Sequence, residues 1–148
     1  MLGRLQMTVD QAIESYTELS KTVFGKKFGW IRFLRGKPRY PASALEAAIK
    51  TTLRKVGLAE DSLMVDTANI STGQTCRTAV VSNYTNSAGG AVYKVFRSYD
   101  IAGRDSADSC TVFEAARATT AAPTYFAPVK VALRTGEQPV TFSEWYAV

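Results

Sequence analysis

Apolar residues recur at Val9, Ala12, Ile13, Tyr16, Leu19, Val23 and Phe24. Steps of three and four residues bring such positions onto one side of an α-helix. The stripe opens at Thr8-Val9-Asp10-Gln11, a capping-box arrangement. In it the Thr8 hydroxyl accepts from a free backbone N–H while the Gln11 side chain reaches back. Gly25 supplies a stop, so the spacing predicts a helix over about residues 9–24. A second stripe, Leu45, Ile49, Leu53 and Val56, follows Pro41 and ends at Gly57. Ser43-Ala44-Leu45-Glu46 repeats the capping signature at its start.

The period then changes. Residues 58–75 are polar and irregular and read as a loop. Residues 78–84 and 91–99 are rich in β-branched and aromatic side chains, and the stretch between them, from Thr85 to Gly90, is built from turn formers. This predicts two strands in a hairpin. Thr111-Val112-Phe113-Glu114 is a third capping box, opening a short helix through about Thr119 that Pro123 and Pro128 prevent from continuing. Residues 129–133 and 140–148 read as two further strands around Gly136. There is no internal repeat and no low-complexity tract. Helices mixed with strands indicate an α/β or α+β sheet protein, and 148 residues suit one domain with a real core. Met1-Leu2 and Trp145-Tyr146-Ala147-Val148 are apolar and abrupt, whereas natural ends are usually polar and frayed, so sequence is expected to be missing beyond them.

Charge is uneven. Residues 1–55 carry 11 basic and 4 acidic side chains, a balance of +7, and residues 56–148 carry 7 and 9, a balance of −2. The positive charge gathers in Lys26, Lys27, Arg32, Arg35, Lys37 and Arg39, interleaved with Phe28, Trp30, Ile31, Phe33, Leu34 and Tyr40 and without one acid. Three environments suit this mixture. A solvated connection between two helices, its aromatics tucked onto the core, is the plainest. Contact of Lys26, Lys27, Trp30, Arg32, Phe33 and Arg35 with an anionic membrane surface comes second. Single-stranded nucleic acid comes last, because such footprints are usually more basic overall. No apolar run approaches the roughly 20 residues of a spanning helix, and the first ten residues lack a signal-peptide core. A cytoplasmic chain, at most peripheral to a membrane, is the expectation.

Candidate chemistry is sparse. The chain has no histidine, which removes Ser-His-Asp and Cys-His nucleophile pairs and the commonest zinc ligand. Cys76 and Cys110 make neither a zinc cluster nor a disulfide framework. Asn69-Ile70-Ser71-Thr72-Gly73 nearly spells the G-x-S-x-G elbow, but Asn69 replaces the first glycine and no strand and helix flank it. Asp100, Asp105 and Asp108 surround Gly103 without the ligand register of a calcium loop. No glycine-rich phosphate loop is present. No cofactor or metal is expected.

The most specific run lies at residues 110–128. Ala115, Ala116, Ala118, Ala121 and Ala122 make a small-residue helix suited to close packing on a sheet. Arg117 is the charge on its second turn, and Pro123 fixes the exit. Ala116-Arg117-Ala118-Thr119-Thr120-Ala121-Ala122-Pro123 resembles the "ARATSAAP" helix of patatin-like phospholipases, with Thr120 where a serine is common. The resemblance extends both ways. Residues 1–24 are similar to the helices that follow the nucleophile elbow in that family, and residues 40–50 to its next helix start. Residues 76–99 look like its strand pair, ending in Phe96-Arg97-Ser98-Tyr99.

The resemblance implies a patatin-like α/β sheet with flanking helices over residues 1–148. It implies hydrolysis of lipid esters by a serine–aspartate dyad, a phospholipase or lipase activity in lipid degradation. The serine belongs to G-x-S-x-G and the aspartate to D-G-G or D-G-A, and neither motif occurs here. By order the elbow would precede Met1 and the aspartate would follow Val148, so the central nucleophile strand is expected to be missing. No catalytic role falls on any residue; Arg117 and Pro123 match the motif as structural positions. Such a sheet would leave apolar surface uncovered, and the isolated chain is expected to aggregate or fold loosely. Two functional readings remain: part of a lipid acyl hydrolase, inactive by itself, or a non-catalytic remnant that binds a lipid surface or another protein.

Overall fold

The computed structural model describes residues 1–25, 37–65, 76–86, 88–101, 109–122, 124–133 and 139–143. Among them are three helices, α1 (Val9–Phe24), α2 (Ala42–Lys55) and α3 (Val112–Thr119). Four strands, β1 (Ala79–Thr85), β2 (Ala91–Arg97), β3 (Val129–Val131) and β4 (Val140–Phe142), form one sheet in the order β2-β1-β4-β3. Every pairing in it is antiparallel. The mixed α/β class expected from the sequence holds.

Helix α1 starts where the capping box places it. The Gln11 amide donates to the Thr8 hydroxyl at 3.2 Å, and the Gln11 side chain accepts from the Thr8 N–H at 3.0 Å. Its buried face differs from the expected stripe. Ser15, Leu19 and Val23 face inward, while Val9, Ile13 and Tyr16 are each at least 60 % exposed. The neighbour of α1 is α2, and that contact fixes which face is covered. The start of α2 also departs from the expected capping signature. Pro41 is the N-cap and no side chain caps the helix, and Ser43, already the second helical residue, lies too far in to serve. Proline's fixed φ provides the geometry of the first turn instead. The end of α2 behaves as expected: Gly57 takes φ +74°, and the Gly57 and Leu58 amides donate to Arg54 and Leu53, a Schellman closure.

The hairpin forms as predicted, with Val80 opposite Phe96 and Tyr84 opposite Val92. Asn86 organises the turn: its side-chain oxygen accepts from the Ala88 and Gly90 amides, and Gly89 adopts φ +80°. Helix α3 is capped by Thr111 and Glu114, again as predicted. Its alanines let it press against β1, where the buried Ser82 hydroxyl donates to the Ala118 carbonyl at 2.8 Å. Of residues 58–75, expected as a loop, the described part through 65 contributes one bridge. Leu63 pairs with Thr111, with Met64 donating to Cys110 and Val112 to Ser62.

The core lies between the inner face of the sheet and the helices. Phe96 and Phe142, both fully buried, meet at 5.4 Å, and Leu53 and Val131 close the layer. Each such side chain contributes about 1.5–3 kcal/mol by leaving water. The other face of the hairpin stays open: Val81 lies opposite Val95, and both are exposed, as is Tyr93. Strand β4 is described through residue 143, so the predicted continuation over 144–148 lies outside the described residues.

Candidate functional site

A cavity of about 280 Å³ lies where α1, α2, α3 and the start of β1 converge. Leu45, Ile49 and Leu53 from α2 form one wall, and Ala115 and Ala116 from α3 another. Leu19 and Tyr16 of α1 and Val80 of β1 complete it. The space exists because α3 presents alanines at this point, where larger residues would fill it. The wall is thus a consequence of the same small-residue run that lets α3 approach the sheet.

Four threonines contribute the polar atoms of the wall, and their hydroxyls are already engaged. Thr52 donates to Ala48 at 3.0 Å, Thr119 to Ala116 at 3.1 Å, Thr120 to Ala116 at 2.8 Å, and Thr78 to Cys76 at 3.2 Å. Arg4 stands at the edge, with Nε donating to the Met64 carbonyl and Nη2 to that of Leu63. It pins the residues before α1 to the segment that pairs with α3. Among the described lining residues there is no carboxylate and no thiol. The arrangement can hold hydrocarbon and exclude water.

Arg117 is the other unusual group. Its side chain leaves α3 and is almost completely buried. Nε donates to Glu46 of α2 at 3.2 Å, and Nη2 donates to the Ala127 carbonyl at 3.1 Å. Nη1 is buried and meets no hydrogen-bond partner among the described residues. The guanidinium therefore ties α2, α3 and the lead into β3 together. Glu46, read from the sequence as part of a cap, serves this link instead.

The remaining sequence candidates separate. Lys26, Lys27, Trp30, Arg32, Phe33 and Arg35 lie outside the described residues, as do Pro123, the Asn69–Gly73 near-motif, Asp105 and Asp108. Asp100 is exposed, and no group of three metal-ligating side chains occurs among the described residues. Cys76 is exposed and Cys110 buried, and neither is in a disulfide. Among the described residues no helix is long and apolar enough to cross a membrane.

Sequence reasoning missed the cavity. Its wall draws on four elements far apart in the chain, and each lining residue looks like an ordinary core position within its own helix or strand. No protein-family model matches the chain, and no curated protein or solved structure matches it significantly.

Proposed function

We propose that this chain is part of a patatin-like lipid acyl hydrolase, in which the apolar cavity receives an acyl chain. The carrying observation is that the Ala116–Pro123 run, the segment that most resembles the family, leads out of a capped helix that walls a cavity lined mainly by apolar side chains. An acyl chain suits that wall because it asks for no hydrogen bond. At roughly 30 Å³ per methylene-sized unit, the volume accepts about nine methylenes. Burying them would yield about 7 kcal/mol before the costs of association. Within this reading, Ile49, Leu53 and Ala116 exclude water from the chain and Arg4 borders the mouth. The serine and aspartate of the dyad are not residues of this sequence, and the chain alone is expected to bind without hydrolysing.

Two measurements test the reading. Sequencing the coding region on either side should reveal an in-frame G-x-S-x-G before Met1 and an Asp-Gly after Val148; stop codons or unrelated sequence there would sink the hydrolase assignment. A fluorescent fatty-acid analogue should bind the purified chain and be displaced by decanoate, and Ala116→Phe should abolish that binding. Failure of the analogue to bind the parent chain would remove the acyl site.

A further inference from the structure

Away from the cavity, a second surface gathers aromatic rings with cations. Phe24, the last residue of α1, meets Tyr40 edge-on at 4.9 Å. Tyr40 in turn stacks on Tyr125 with centroids 6.1 Å apart and an interplanar angle of 16°. The buried Phe126 lies beneath, 6.0 Å from Tyr40 and 6.1 Å from Phe24. Backbone bonds lock the pieces together: Arg39 donates to the Thr124 carbonyl at 2.6 Å and Tyr40 to that of Tyr125 at 2.8 Å. Phe24 and Tyr125 nevertheless remain 44 % and 46 % exposed. Thr124 holds φ +70°, a conformation a β-branched residue avoids.

A cation sits against these rings. The Arg39 guanidinium sits 5.8 Å from the Tyr40 ring centre, and Arg39 and Lys37 are exposed. Between Phe24 and Tyr40 the sequence carries six cations and no carboxylate. The nearest acid along the chain after Tyr40 is Glu46, which is engaged by Arg117. Exposed rings on a rigid base, bordered by cations, complement an interface of apolar chains beneath anionic headgroups. Single-stranded nucleic acid fits less well, because the Tyr40 ring is already engaged edge-on with Phe24 and stacked with Tyr125.

We infer that Phe24, Lys37, Arg39, Tyr40 and Tyr125 form a docking surface for an anionic lipid bilayer, with Phe24 and Tyr125 entering the interface and Lys37 and Arg39 meeting headgroups. This surface is separate from the cavity and stands whether or not the chain hydrolyses esters.

Co-sedimentation with vesicles tests it, using the full chain. Vesicles of phosphatidylcholine with phosphatidylserine should carry the protein down in low salt, vesicles of phosphatidylcholine alone should not, and high salt should release it. Lys37→Gln with Arg39→Gln should weaken partitioning about thirtyfold, at about fivefold per cation. A second arm does not depend on charge. In a Cys76→Ser background, Tyr125→Cys carrying an environment-sensitive dye should shift its emission to the blue on adding the anionic vesicles. Unchanged binding by the double glutamine variant at parental circular dichroism, or a dye that reports only water, would overturn the assignment. So would binding of a single-stranded oligonucleotide with no binding of anionic vesicles.

Discussion

Removing Arg117 in three different ways separates what its charge does from what its volume does. The guanidinium is 1 % exposed and makes two hydrogen bonds, to Glu46 and to the Ala127 carbonyl, while Nη1 makes none among the described residues. Arg117→Ala loses both bonds, leaves the Ala127 carbonyl without its donor, and opens a void between α2 and α3. Breaking a buried pair from one side costs about 3–5 kcal/mol. The Glu46 side chain is 40 % exposed and can regain water, so the lower half of that range applies, about 3 kcal/mol. Arg117→Met keeps most of the volume and deletes a desolvated charge with an unmatched N–H. Its expected cost is about 1 kcal/mol or less. Arg117→Lys retains the charge but cannot reach both acceptors with a rigid fork, and about 2 kcal/mol is expected.

The order Ala, then Lys, then Met is the prediction, read from urea midpoints at constant slope and low protein concentration. A parallel cycle with Glu46→Gln should find a coupling of about 0.5–1 kcal/mol in the parent that vanishes in the Met variant. If Arg117→Met proved as damaging as Arg117→Ala, the charge itself would be holding the three segments, and the account of Nη1 as an uncompensated desolvation would be refuted.

Three further expectations follow from individual positions. Thr124→Gly relieves a left-handed backbone and should raise stability by about 1 kcal/mol; a loss would mean that the φ of +70° is not strained in solution. The carboxyl of Glu60 is held below the usual carboxylate range, first by its hydrogen bond from Lys50 and then by that from Arg54. A depressed carboxylate stabilises the folded chain above its unfolded value and loses that effect as pH falls through its folded value. Glu60→Gln should therefore be less stable than the parent at neutral pH and converge on it as pH falls through the folded-state value, with salt narrowing the gap. On the open face of the hairpin, Tyr93→Lys with Val95→Thr should lower self-association in sedimentation velocity with little change in stability; unchanged association would exonerate that face.

What could be read from the sequence follows the range of the interactions involved. The Thr8–Gln11 and Thr111–Glu114 boxes and the Asn86 turn each close within four residues, and all three formed where the sequence put them. The face of α1 did not, because amphipathic spacing names two adjoining stripes and only contact with α2 decides which is buried. Ser43-x-x-Glu46 failed as a cap because the helix had already begun at Ala42 after Pro41, and Glu46 pairs instead with the distant Arg117. The two candidate sites sit at opposite ends of this scale. The cavity is invisible in one dimension, since its vacancy arises from alanines on α3 facing leucines on α2. The aromatic surface was half visible: Tyr40 belonged to the basic, ring-rich stretch, but Tyr125 belonged to the alanine-rich run. Only the fold shows that the end of the cation-rich stretch and the alanine-rich run meet ring to ring. A surface assembled that way has a stronger claim on function than either stretch alone, because helix packing does not require two tyrosines to stack while one remains nearly half exposed.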